Sequence, residues 1–311
     1  MTTTGTTTFD LDFTDLAEEA FERAGREMRS GYDLRTARRS MNLMTIEWQN
    51  RGINMWTIEE GSFTLTPGLN TYALPTDTID LMEHVIRTGA NSSSTQADLT
   101  ITRISVSTYA TIPNKLQQAR PIQVWVQRMS GQVSPANATL VGTINSSTTT
   151  ITLSDTTSLP AAGFIRLDNE DIYYGYINSN NTLGGVFRAQ NGTTAASHTN
   201  GTTVYNPNLP AVTVWPTPDN STTYTFVYWR LRRIQDAGSG VATADMNFRF
   251  LPCVVAGLAY YVAMKQPDLA DRLPMLKQAY DEQFDLAAGE DREKAAVRFV
   301  PRQMFIGGGY T

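Results

Sequence analysis

Between Gly131 and Leu209 Thr, Ser, Asn and Gly dominate the chain, and short apolar islands interrupt that polarity at close intervals. The islands are "TTTITL", "GFIRL", "DIYYGYI", "GVFR" and "TTVYN", and turn residues separate them. Segments of that length, rich in β-branched and aromatic residues, are strands rather than helices. The spacing predicts a small all-β module over 131–209, barrel- or sandwich-like. A disordered linker is the other reading, but Phe164–Leu167 and Ile172–Ile177 are too apolar for one. The stretch also changes in charge: from Met129 to Trp229 the only Lys or Arg residues are Arg166 and Arg188.

The flanks read differently. Thr14 or Asp15 suits the N-cap of a helix over "LAEEAFERAGREM", with Leu16, Ala20, Phe21 and Ala24 on its apolar stripe. Asp33 suits the cap of a second helix, in which Leu34, Ala37, Met41, Met44 and Trp48 share one face and Gly52 takes the C-terminal left-handed position. Arg35, Arg38 and Arg39 lie mostly off that stripe, which leaves open a solvated face or an interface with another chain. Strand alternation follows in "NMWTIEEGSFTLTPGLNTYALP" and continues through "TIDLMEHVIRTG" and "LTITRISVSTYATIPNKLQQARPIQVWVQRM". Beyond the polar stretch, "AVTVWPTPDNSTTYTFVYWRLRRI" reads as a hairpin. Pro216 and Pro218 end the first strand, Asp219-Asn220 turns the chain, and Tyr224, Phe226 and Tyr228 load the second with aromatic surface. "FLPCVVAGLAYYVAM" is apolar nearly all round, as a central helix should be, with Pro252 at a kink or in the first turn. A last amphipathic helix carries Leu276, Tyr280, Phe284 and Ala287 at helical spacing, and Pro274 bends or restarts it.

The expected class is therefore α+β: an antiparallel helix bundle with an associated sheet and hairpin, an inserted all-β domain and extended termini. Its pieces are a flexible segment 1–13, a core split between 14–130 and 210–296, the insertion 131–209, and an extended tail 297–311.

Few function classes fit the residues. A chain of 311 residues, 41% hydrophobic, can bury one sizeable core or two smaller ones. A net charge of -5 argues against a general nucleic-acid binder, though not against a surface that DNA merely passes. Cys253 stands alone in an apolar run, so it is a buried small residue and not a reactive thiol. His84 and His198 are the only histidines, and neither has a partner at metal-ligand spacing. No nucleophile elbow, P-loop or dinucleotide fingerprint occurs. Asp168, Glu170 and Asp171 suggest a glycosidase pair or a calcium loop, but the spacing does not fit an EF-hand and turn chemistry accounts for them. No catalytic residue, cofactor or metal site is expected, and the chain is not expected to be an enzyme. The N-terminus lacks the basic and apolar regions of a signal peptide, and no run approaches the ~20 apolar residues of a membrane span. Synthesis in a cytoplasm is expected, and the N-x-S/T sequons mark polar loops only.

The order of "NRGINMWTIEEGSFTLTPGLNTYALPTDTIDL", "ARPIQVWVQR", "VTVWPTPD", "YTFVYWRLRRIQDAG" and "FLPCVVAGLAYYVAMKQPD" resembles the head-to-tail adaptor (tail tubular or connector) proteins of short-tailed bacteriophages. The likeness covers roughly residues 14–130 and 210–298, and the module between them resembles small β modules of other virion proteins. It implies a homo-oligomeric ring, expected to be a dodecamer, in the virion tail at the capsid vertex. Such a ring docks under the portal protein, presents a platform to the tail nozzle protein and tail fibres, and lets double-stranded DNA pass without sequence-specific binding; no membrane is implied. The tail then becomes the portal-binding element, with Phe299, Val300, Pro301, Met304, Phe305, Ile306 and Tyr310 as anchors and Arg298 and Arg302 as salt-sensitive contacts. The competing expectation is a binding module on the virion exterior. There Tyr173, Tyr174, Tyr176 and Phe187 would recognise glycans or attach a fibre.

Overall fold

Strand, not helix, dominates this chain. In a computed structural model, which describes residues 3–6, 9 and 11–292, the backbone forms three sheets of four, eight and four strands. The antiparallel helix bundle expected as the core is not the fold, and the helices are few. The chain divides into two compact units, one built from the residues before Thr57 and after Arg233, the other from Thr57–Arg233.

The first unit holds the long helices. α1 (Phe13–Ala24) starts at Asp12, ahead of the expected cap, because the Asp12 Oδ1 accepts the Asp15 N–H at 2.9 Å. Gly25 ends it at φ +89°, where its N–H reaches the Glu22 carbonyl. α2 (Gly31–Asn50) is capped by Ser30 rather than Asp33. Asp33 sits three residues in and returns the bond, accepting the Arg29 N–H at 3.2 Å and the Ser30 hydroxyl at 3.2 Å. α3 (Leu251–Ala263) carries Pro252 in its first turn, and α4 (Leu273–Glu290) carries Pro274 in its first turn, so neither proline kinks a helix.

Packing explains why these helices do not form a bundle. α3 buries residues all round its axis, and α1, α2 and α4 each pack on it more than on one another. It is a hub, not one stave of a barrel. Close approach is possible at Gly257, where an added Cβ would lie 2.4 Å from the Met44 Sδ and 2.8 Å from the Tyr280 ring. Beside it the buried Trp48 indole donates to the Tyr280 hydroxyl at 2.8 Å, and Trp48 meets the rings of Phe250 and Phe284 at 6.0 and 6.4 Å.

The second unit is β. Its first strands are β1 (Ile58–Thr64), β2 (Thr71–Ala73), β3 (Thr78–Thr88), β4 (Ala97–Thr100), β5 (Thr102–Ile104) and β6 (Gln123–Gln127). The polar stretch follows with β7 (Val133–Val141), β8 (Ile151–Leu153), β9 (Gly163–Leu167), β10 (Glu170–Tyr174), β11 (Tyr176–Ile177), β12 (Thr182–Gly184), β13 (Phe187–Gln190) and β14 (Thr203–Pro207). These eight make one sheet in the order β11-β12-β8-β7-β14-β9-β10-β13, with every recorded pairing antiparallel. The chain ends the unit with β15 (Ala211–Trp215) and β16 (Tyr224–Arg232).

β15 and β16 are not the hairpin expected of them. β15 lies between β2 and β6 in one sheet, and β16 lies between β1 and β3 in another. Pro216, after a cis Trp215–Pro216 bond, and Pro218 offer no N–H to continue a ladder. The Asp219 carboxylate then accepts the Ser221 N–H at 3.1 Å and the Tyr224 hydroxyl at 3.1 Å, which re-aims the chain into the second sheet. The aromatic surface is covered within the unit. Phe63 of β1 stacks on Phe226 at 5.4 Å and on Tyr72 at 5.1 Å, and Phe164 and Tyr173 from β9 and β10 join the same core. The eight-stranded sheet keeps a second core around Ile165, Ile172 and Tyr174.

Gly257→Ala is expected to destabilise the helical unit by about 1–3 kcal/mol, since the methyl must displace two packed side chains. Urea unfolding followed by far-ultraviolet circular dichroism, which the helices dominate, measures it, and a variant as stable as the parent would contradict the close-approach reading.

Candidate functional site

Two features of the structure are candidates for a site. One is a buried ionic network in the β unit, the other a pair of surfaces on the helical unit.

In β10, alternation sends Glu170, Ile172 and Tyr174 to one face and Asp171 and Tyr173 to the other, and all five are buried. Glu170 is 1% exposed. It accepts both arms of the Arg188 guanidinium at 2.7 Å each, the Ala189 N–H at 3.1 Å and the Ala196 N–H at 2.9 Å. His198 completes the cluster, with Nε2 2.9 Å from Glu170 and Nδ1 2.7 Å from Asp168. Burial alone would raise the Glu170 carboxyl, but Arg188, the two backbone N–H groups and His198 outweigh it and bring it down to about 2. On the opposite face Asp171 takes the Arg166 fork at 2.6 and 2.9 Å and the Asn191 amide at 3.0 Å. Beside this pair opens a cleft of about 510 Å³, lined by Phe63, Tyr72, Gln190, Asn191 and Thr193 among others.

The network is a fastening more than a reactive centre. Its buried carboxylate oxygens are engaged by arginine, amide or histidine donors, so neither Glu170 nor Asp171 has the freedom of an acid or nucleophile. Turn chemistry accounts only for Asp168, which takes φ +48° between β9 and β10. Among the described residues no cluster of His, Cys, Asp and Glu could hold a metal ion. His84 lies in β3, nearly buried, stacked on Phe226 at 6.2 Å, and its two ring nitrogens have no hydrogen-bond partner. Burial holds its imidazole below the ordinary value, against the opposing pull of Glu83. Cys253 is inside α3, and burial pushes its thiol up to about 12.

The aromatic residues considered for glycan contact are divided. Tyr173 and Tyr174 are buried, with hydroxyls bonded to Asn70 at 3.1 Å and to the Pro160 carbonyl at 2.7 Å. Phe187 is half-buried and Tyr176 is 54% exposed. The tail residues Arg298, Phe299, Val300, Pro301, Arg302, Met304, Phe305, Ile306 and Tyr310 lie outside the described residues.

On the helical unit, Asp15, Glu18, Glu19 and Glu22 of α1 form one wall of a groove of about 1100 Å³. Its floor includes Phe248, Leu251, Pro252 and Val255 at the start of α3. On α2 the face opposite the buried stripe presents Tyr32, Arg35, Arg39, Leu43 and Ile46. The acidic wall and the second apolar stripe both follow three- and four-residue spacing, yet the sequence does not mark them as surfaces. What hid them is that exposed apolar residues look like core until the true core is seen. Among the described residues no helix is long and apolar enough to cross a membrane.

No protein-family model matches the chain, and no curated protein matches it with significance.

Glu170→Gln is expected to cost about 3–5 kcal/mol, because Arg188 would keep its charge inside without a counter-ion. The acid limb follows from the sign of the shift. Glu170 titrates below its ordinary 4.5 when folded, so its contribution is complete above that value and is lost as pH falls through about 2. Thermal melts of parent and variant across that range check both. For His84 the folded form binds its proton less readily than the unfolded chain. Its contribution is therefore complete above about pH 6.5 and is lost as pH falls below that. His84→Leu should melt with a shallower pH dependence than the parent between about pH 7 and pH 5; equal slopes would rule out His84 as the source.

Proposed function

We propose that this chain is a structural protein of a bacteriophage virion, the subunit of a head-to-tail adaptor ring between the portal protein and the tail nozzle. The order of sequence segments resembling that family supports the reading. The helix bundle once attached to it does not, since the fold is mainly β. The observation that carries the reading is the surface of the helical unit. Tyr32, Leu43, Ile46, Phe248, Met275 and Leu286 are each more than half exposed there, on ordered helices or at their starts. A solitary subunit gains nothing from that much ordered apolar surface, whereas a subunit seated among copies and neighbouring virion proteins buries it. DNA passes such a ring without being read, which suits a chain of net charge -5.

In this reading residues 297–311 attach the ring to the portal, and Arg298 and Arg302 make the attachment salt-sensitive. The test is co-sedimentation of the full chain with purified portal rings, beside a chain ending at residue 296. The full chain should pellet with portal, less so at high salt, and the shortened chain should stay in the supernatant with an unchanged far-ultraviolet spectrum. Equal pelleting of the two would remove the tail from the account. A full chain that never binds portal, and that is absent from the vertex in immunogold images of the particle, would end the adaptor reading.

A further inference from the structure

The two surfaces of the helical unit match each other. Along α1, Asp15, Glu18 and Glu22 recur at three- and four-residue spacing on one exposed face, and among the described residues none of them holds an ion pair. Glu19 beside them is already taken by Arg23 at 2.8 Å. Along α2, Arg35 and Arg39 share the outward face, and their recorded bonds are to the Gly31 carbonyl and the Thr36 hydroxyl, not to a carboxylate. Arg38 next to them has a buried Nε without a partner. The unit therefore presents unpaired carboxylates on one helix and arginines without a carboxylate partner on another.

The apolar parts match in the same sense. One and two turns beyond Arg39, the α2 face continues into Leu43 and Ile46, which are 59% and 53% exposed. Below the acidic wall, the groove floor offers Phe248, 66% exposed, with Pro252 and Val255 behind it. Both members of the fit belong to this chain, and within one copy they do not pair. That singles out a second copy as the occupant.

We infer that the outward face of α2 in one copy docks into the groove between α1 and the start of α3 in the next. Arg35 and Arg39 then meet Glu18 and Glu22, and Leu43 and Ile46 cover the floor. This rests on the adaptor reading and deepens it. Repeated head to tail, such an interface generates a ring when its rotation closes. The like-charged faces of two α1 helices, or of two α2 helices, repel, so the charges disfavour α1-on-α1 and α2-on-α2 pairing.

A charge-swap experiment on the full chain tests it by mass photometry and sedimentation equilibrium. Arg35→Glu/Arg39→Glu makes both faces acidic, and Glu18→Arg/Glu22→Arg makes both basic. Each variant alone should self-associate about tenfold more weakly or worse than the parent. Mixing the two variants should restore assembly, since each then offers the face that the other lacks. A variant that failed to fold could not be restored by mixing, so restoration separates interface from stability. Parent association that survives both reversals, or variants that stay apart when mixed, would overturn the inference while portal binding in the preceding test leaves the adaptor reading standing. If the arginine reversal instead abolishes retention of double-stranded DNA in a gel-shift assay and leaves the oligomer unchanged, the α2 face serves nucleic acid and the inference fails.

Discussion

Two adjacent carboxylates inside a strand are the constraint around which the β unit is arranged. A buried, unpaired carboxylate would be too costly to keep ionised, and Glu170 and Asp171 stand next to each other with 1% exposure each. They are tolerated because the stretch contributes its only two arginines to them, Arg188 to one and Arg166 to the other, each as a two-armed fork. The consequence reaches beyond the pairs. Arg188 also donates to the carbonyls of Asn145, Thr148 and Ala196, so one guanidinium ties the 145–148 turn and the 189–198 loop to β10. A module with so many polar side chains has a thin apolar core, and these forks supply the specificity that the core alone would not.

The same alternation that points Glu170 one way points Tyr173 the other. Tyr173 and Phe164 enter the core that holds Phe63, Tyr72, Phe226 and Tyr228, so the strands of the polar stretch and those flanking it share an aromatic layer. β10 thus serves two cores at once, with Ile172 and Tyr174 in the second. This is why all five of its residues are buried although two are acids. It also explains why its tyrosines are poorly placed to receive a ligand.

The helical unit solves a different problem. α3 is apolar on every side, and the other three long helices satisfy it from different directions, with Gly257 allowing Met44 and Tyr280 to approach. Covering one hub uses one face of each surrounding helix. The far side of α2 still carries Leu43 and Ile46, and the far side of α1 still carries its carboxylates, which is the surplus from which the assembly argument starts.

Local chemistry was legible where one signal dominated. The 3.6-residue stripes through Met41, Met44 and Trp48 and through Leu276, Tyr280, Phe284 and Ala287 are buried as their spacing implies. Caps shifted by a few residues because Asp12 and Ser30 compete with Thr14 and Asp33 on nearly equal terms. β7 is not marked by the sequence, because Pro135 and Asn137 interrupt its strand pattern. Pro135 stays in register opposite Tyr205, and a bulge between it and Ala138 absorbs Asn137 at φ +51°. By itself, then, the order of residues determined the four long helices, most of the segments that are strands, and the apolar character of α3, because those depend on neighbours a few positions apart; the short helix Val106–Ala110, in a stretch that reads as strand, was not among them. Only the tertiary structure decided that β15 and β16 part into different sheets, that the helices gather round a hub instead of forming a bundle, and that His198 meets a carboxylate 28 positions away. Each of those depends on which distant surfaces compete for the same partner, and no local period records that competition.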